Sequence, residues 1–360
     1  MKKRIPTIMF SMLLIISCSS SDVSADQNSP LPSTGEPNNN NNEWLFPISE
    51  IRDGGPGKDG IPSIDAPNFV AADQASPVLS DDLLVIGIKV EDETRAYPHY
   101  ILDWHEIVND DVNGVEVAAS LCPLTGTSIG WSRLVNGSLT TFGVSGKLYN
   151  NNLIPYDRAT NSNWSQVGLQ CINGSLIGQR PDLVTVLETT WGVWKTMYPN
   201  TKVLTTNTGF SRNYGVYPYG DYRTNNSYLI FPLTIEDNRI PAKERVHSII
   251  EDDEAKVYKF NTFGNGSTLR DVYQGKDILL IGDNTTIVSF ELDGTSGSLD
   301  FEYDYNGSEG FFKDNEGTIW NVFGEAISGP GQGNKLKSTA SFIAYWFSIG
   351  AFYPNAEIFE

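Results

Sequence analysis

The sequence predicts a mainly β fold with a few short helices, arranged as two tandem pseudo-symmetric repeats. Three observations carry this. First, short apolar, β-branched runs follow one another from Leu83 to Val90, Val115 to Leu121, Ser128 to Leu134 and Leu139 to Val144. Turn pairs such as Asn113-Gly114 and Asn136-Gly137 separate them, the strand-and-hairpin signature. Second, helical spacing shows in only two places. Ile101, Trp104, Ile107 and Val108 follow Pro98, and Thr189 to Tyr198 carries Trp191 and Trp194 before Pro199 stops it. Third, the chain resembles itself. Tyr97 and Tyr258 sit in like-charged surroundings, Trp164 matches Trp320, and Trp191 with Tyr198-Pro199-Asn200 matches Trp346 with Tyr353-Pro354-Asn355. The offsets are 161, 156 and 155, drifting as changes in loop length would make them.

In chain order, residues 1–17 read as a lipoprotein signal peptide. Lys2, Lys3 and Arg4 precede an apolar run from Ile8 to Ile16, too short for the roughly 20 residues of a membrane span. Ser17-Cys18 then resembles a lipobox, making Cys18 the lipidated first residue of the mature protein. Residues 18–43 are Ser, Asp, Pro and Asn with almost nothing to bury, a disordered tether. Residues 44–82 form a Gly/Pro-rich lead-in containing Arg52 to Pro62. This stretch lacks the Gly-Lys-Ser/Thr ending of a phosphate-binding P-loop and reads as a structural loop. Residues 83–205 are repeat 1, 206–244 a connector, and 245–360 repeat 2, a degenerate scaffold copy.

Composition narrows the function. With 25 Lys+Arg against 44 Asp+Glu, a formal charge of -19 would repel nucleic acid, so no nucleic-acid partner is expected. The 17 Phe, 16 Tyr and 8 Trp among 360 residues supply a substantial core and exclude a disordered chain. The expected membrane partner is reached through Cys18, which places the protein outside the cytoplasm of a bacterium.

Features found in both repeats serve folding; features found in one are candidates for chemistry. Repeat 1 alone carries His99 with His105-Glu106, and Cys122 and Cys171. A thiolate needs a neighbouring imidazolium, cation or metal to ionise at neutral pH. His105 is the expected base, Glu106 its orienting carboxylate and Cys122 the thiolate. The same His105 and Cys122 would suit Cu or Zn as ligands. Lys147, Asp157, Arg158 and Asn150 are candidate substrate-binding groups, the cations for an anionic moiety. Two other readings stand beside these: a structural Cys122–Cys171 disulfide, and inert burial. On a helix His99 and His105 would fall about 120° out of phase, poor co-ligands. His247 has no assigned role.

Several ordered motifs resemble a bacterial domain-of-unknown-function family numbered 3179, over roughly residues 50–360. They include Gly54-Gly55-Pro56, Arg95-Ala96-Tyr97-Pro98, Trp104-His105-Glu106-Ile107-Val108-Asn109-Asp110, Cys122-Pro123-Leu124-Thr125-Gly126, Phe142 to Asn150 and Tyr156-Asp157-Arg158. The resemblance implies that His105-Glu106 and Cys122-Pro123-Leu124 belong to the family signature, and it brings no activity. Members often carry a second cysteine where this chain has Thr125.

The expectation is therefore an exported lipoprotein with a thiol/imidazole site acting on a small molecule. The alternative is a non-catalytic ligand-binding or structural envelope lipoprotein containing the Cys122–Cys171 bridge.

Overall fold

A computed structural model describes residues 43–360; the signal-peptide, Cys18 and tether expectations lie outside the described residues. The fold is mainly β, with three short α-helices at His99–Leu102, Trp191–Met197 and Trp346–Phe352. Two-residue turns join many strands. Glu91, Asn113, Asn136, Asn150-Asn151, Asp252-Asp253 and Gln274 have φ between 47° and 67°, the left-handed geometry that matches hairpin twist. Gly114 follows Asn113 at φ 82°, where a side chain would be strained.

One five-stranded sheet places Leu187–Thr190 beside Leu84–Val90, then Glu93–Pro98, Lys202–Leu204 and Phe69–Ala71. A longer sheet holds the same succession later in the chain. Ser341–Tyr345 lies beside Arg245–Glu251, then Glu254–Lys259 and Glu357–Ile358. In both, the third and fourth strands pair in parallel. On its other edge Ser341–Tyr345 pairs through Ile343 with Ser128. One sheet thus spans both parts of the chain, continuing through Thr127–Ser132, Val115–Cys122 and Ile107–Val112.

Conserved geometry within the molecule accompanies this order. The Tyr97 hydroxyl donates to Asp110 at 2.7 Å while Arg95 pairs with the same carboxylate at 2.6 Å. The Tyr258 hydroxyl donates to Asp271 at 2.8 Å and Lys256 pairs with it at 2.7 Å. Trp164 and Trp320 each donate an indole N–H, at 3.0 Å, to Asp157 and Asp314. Trp164, Trp194 and Trp346 are fully buried, each a large apolar contribution to the core.

The helix expected after Pro98 is a correction. It stops at Leu102 after one turn, and Ile107–Val112 is a strand paired with Val115–Cys122. Ile107 to Asp110 are buried in succession, the polar Asn109 and Asp110 included, so this strand lacks the apolar/polar alternation that would mark it as a strand. The Leu139 to Val144 run likewise resolves into a strand at Phe142–Tyr149, paired with Asn152–Asp157.

Candidate functional site

The segment 103–106 turns the short helix into the strand that follows. The Glu106 N–H donates to Leu102 O at 2.7 Å, and φ of 60° at Glu106 reverses the chain. Left-handed backbone is uncommon for glutamate and costs roughly 1–3 kcal/mol, so the surroundings must hold it. The Glu106 carbonyl accepts from Leu121 N at 2.8 Å, locking the turn to the strand that ends at Cys122.

Glu106 is 4% exposed, and its carboxyl has no hydrogen-bond partner among the described residues. It lines a cavity of ≈ 70 Å³ whose walls include Ile61, Leu124, Val144, Leu153 and Phe231, with Lys147 also on the lining. That is room for about five waters or a small ligand group. Burial pushes the carboxyl up to about 8, so it is largely a neutral acid at pH 7. Cys122 lies within its electrostatic reach. Burial first, then Glu106, pushes that thiol up to about 11. The sulfur donates to Asn151 O at 3.6 Å and accepts from Leu153 N at 3.4 Å. Cys171 is buried, bonds to Asn173 O at 3.4 Å, and is pushed up to about 12 by burial. Both thiols are free, so the Cys122–Cys171 bridge is not formed. Each behaves as a small buried group inside the backbone network.

The His105 ring turns away from this pair. Its Nδ1 meets Pro62 O and its Nε2 the Tyr214 hydroxyl, both at 2.7 Å, and the ring stacks on Tyr214. Both ring nitrogens are thereby engaged, leaving none for Cys122, Glu106 or a metal. Among the described residues no three His, Cys, Asp or Glu side chains gather as a metal set, and the His105–Cys122 pairing for Cu or Zn is not assembled.

The remaining candidates have separate jobs. Asn150 grips Thr234, its side chain giving to Thr234 Oγ1 at 2.9 Å and taking from Thr234 N at 2.8 Å. Asp157 is fully buried, capping Thr160 N at 2.6 Å besides holding Trp164. Arg158 closes a surface network, pairing with Asp59 at 3.1 Å and Asp65 at 3.2 Å. Of the four, only Lys147 joins Glu106 at the cavity.

Residues 58–356 match a family model described as Protein of unknown function (DUF3179). The chain belongs to this family. No curated protein and no solved structure matches it.

In this DUF3179 protein a second, larger concavity of ≈ 210 Å³ lies across the Cys122–Thr127 turn from the first, lined by Pro123 and Gly126 where the first is lined by Leu124. It gathers His99, Asp103, Arg223, Arg245 and Tyr345. Sequence reasoning missed it, having set His99 aside and searched only for what one repeat possessed. The available signal was the basic Lys243-Glu244-Arg245 step in an otherwise acidic chain.

Proposed function

We propose that this DUF3179 protein is an exported lipoprotein, anchored at Cys18 and free of nucleic-acid partners, whose folded part binds a small molecule at the Glu106 cavity. The observation that carries the reading is Glu106 itself: a buried carboxyl without a partner, on left-handed backbone, in the wall of an apolar cavity. Burying a polar group without a hydrogen bond costs roughly 1–3 kcal/mol by protein mutational data, a cost a ligand can offset. As a neutral acid the carboxyl donates one hydrogen bond, or one proton, to a ligand oxygen or nitrogen, while the apolar wall holds the ligand's hydrocarbon part. Lys147 at the lining favours a partly negative ligand end. In this reading Cys122 and His105 shape the site and do no chemistry.

Thermal-shift screening of small alcohols, amides and carboxylic acids against the wild-type protein and Glu106→Gln tests it. Hits whose affinity falls at least tenfold in the variant support the reading. Hits indifferent to the substitution remove it.

The same scaffold supports a tandem duplication, 83–205 and 245–360. The recurring strand order, the Tyr–Asp–cation trios and the two Trp–Asp bonds each occur once per segment, in the same sequence. Their order is what unrelated packing solutions would not reproduce.

A further inference from the structure

We propose that the cleft between Arg223 and Arg245 is a second binding site, which takes a small molecule through a carboxylate or phosphate group. It rests on different residues from the Glu106 cavity.

Both arginines are held in place by buried acids. Arg223 pairs with Asp103 at 2.8 Å through Nη2, and Arg245 pairs through Nη2 with Glu188. The two carboxylates have side chains 6% and 3% exposed. The arginine side chains are 40% and 27% exposed, so the charged heads reach from buried anchors toward solvent. A guanidinium has five N–H donors in a rigid fork; one carboxylate contact leaves the rest for a planar or tetrahedral oxyanion. Ring contacts stiffen the pair further. Arg223 lies 3.6 Å over Tyr217, and Arg245 5.0 Å over Phe260. A site held this way loses little side-chain freedom on binding.

The third donor is Tyr345. It is 9% exposed, lines the cleft, and its hydroxyl has no hydrogen-bond partner among the described residues. Its ring packs against Gly126, where a Cβ would come within 2.8 Å of it, so the turn that carries the family's Cys122-Pro123-Leu124 motif is shaped to let this tyrosine in. The charges agree. Lys243 also lines the cleft, giving its ammonium to the carbonyls of Tyr222, Asn225 and Tyr228. Among the lining residues three cations stand beside two carboxylates, Asp103 and Glu188; burial holds the Lys243 ammonium down to about 8, still largely charged at pH 7, with Asp221 behind it. His99, pushed down to about 4 by burial, adds no charge at neutral pH. A local positive excess inside a chain of formal charge -19 attracts an anion where the surrounding surface repels it.

The test is calorimetric titration of the full-length mature protein in detergent with acetate, succinate and inorganic phosphate at low ionic strength. Saturable one-to-one binding of at least one anion is expected, and the arm that responds identifies the group. Measured in Glu106→Gln, which removes carboxylic-acid binding at the first cavity, Arg223→Gln should weaken it at least tenfold and Tyr345→Phe severalfold. Raising the salt should weaken binding in the parent more than in Arg223→Gln. Arg245→Gln uncovers the buried Glu188 and Arg223→Gln the buried Asp103, so Arg223→Gln is read beside Tyr345→Phe, which strands no charge, and these two variants decide the matter. No saturable binding of any of the three anions, or binding that both variants retain in full, overturns the proposal. Loss of all anion binding in Glu106→Gln alone likewise overturns it, because the anion would then sit at the Glu106 cavity.

Discussion

A single carboxyl is the most informative residue of this molecule. Glu106 is held well above its ordinary 4.5, at about 8, so the folded state keeps a proton that the unfolded chain has lost. Between those two values the unfolded state binds fewer protons, and stability falls as pH rises. Urea melts at pH 5 and pH 8.5 should show a larger drop in the parent than in Glu106→Gln, which has no carboxyl to ionise. The two deep histidines act in the opposite sense. Burial holds His99 at about 4 and His247 at about 3 against an ordinary 6.5. Their contribution is complete above 6.5 and is lost as pH falls toward 4 and then 3. Imidazole carbon shifts of both should therefore remain at neutral values at pH 5. The two thiols make a third residue-scale prediction. Cys122 and Cys171 are buried and pushed to about 11 and 12, so an aromatic disulfide reagent should find neither in the native protein and both after denaturation. Rapid labelling of Cys122 in the native state would restore the nucleophile that the sequence suggested.

At the scale of elements, the instructive comparison is between the two helical spacings. Thr189 to Tyr198 was legible because Trp191 and Trp194 recur at helical spacing before Pro199; in the fold they share its buried face, and Thr190 caps it, its hydroxyl accepting from Val193 N at 3.4 Å. The stretch after Pro98 misled because a strand buried on both faces carries no period to distinguish it. The helix at Trp191–Met197 also depends on a neighbour without a side chain. A Cβ at Gly87 would come within 2.2 Å of the Trp194 indole, so Gly87→Ala should cost at least about 1–3 kcal/mol, measured by chemical denaturation. The Tyr–Asp–cation trios allow a matched experiment. Asp110→Ala and Asp271→Ala each leave a tyrosine hydroxyl unsatisfied and take one of two carboxylates from a cation, Arg95 keeping Glu93 and Lys256 keeping Glu357, and losses of about 1–3 kcal/mol are expected. Asp110 should cost more, since its side chain is 6% exposed against 14% for Asp271.

For the whole molecule, the decisive feature is the sheet that runs from Glu357–Ile358 through Ser341–Tyr345 into Thr127–Ser132. Its strands come from both proposed repeats, so neither completes this sheet alone. Expressed separately, 44–205 and 245–360 should each lack a cooperative thermal transition. Mixing them with the connector retained on one should restore it, as read by circular dichroism. Two independently melting halves would contradict this. The β character, the hairpin turns, the tryptophan anchors and the family signature were all set by sequence alone, because each follows from local propensity or from a motif read in order. Where side chains point was decided by tertiary structure. His105 and Cys122 are near in sequence, yet one ring is captured by Pro62 and Tyr214 and one sulfur by Asn151 and Leu153. Arg223 and Arg245 lie far from Tyr345 in sequence and face one cleft with it. Spacing along a β chain fixes neighbours on a strand, but hydrogen-bond satisfaction of buried groups selects contacts across the whole fold, and those contacts have no local signature.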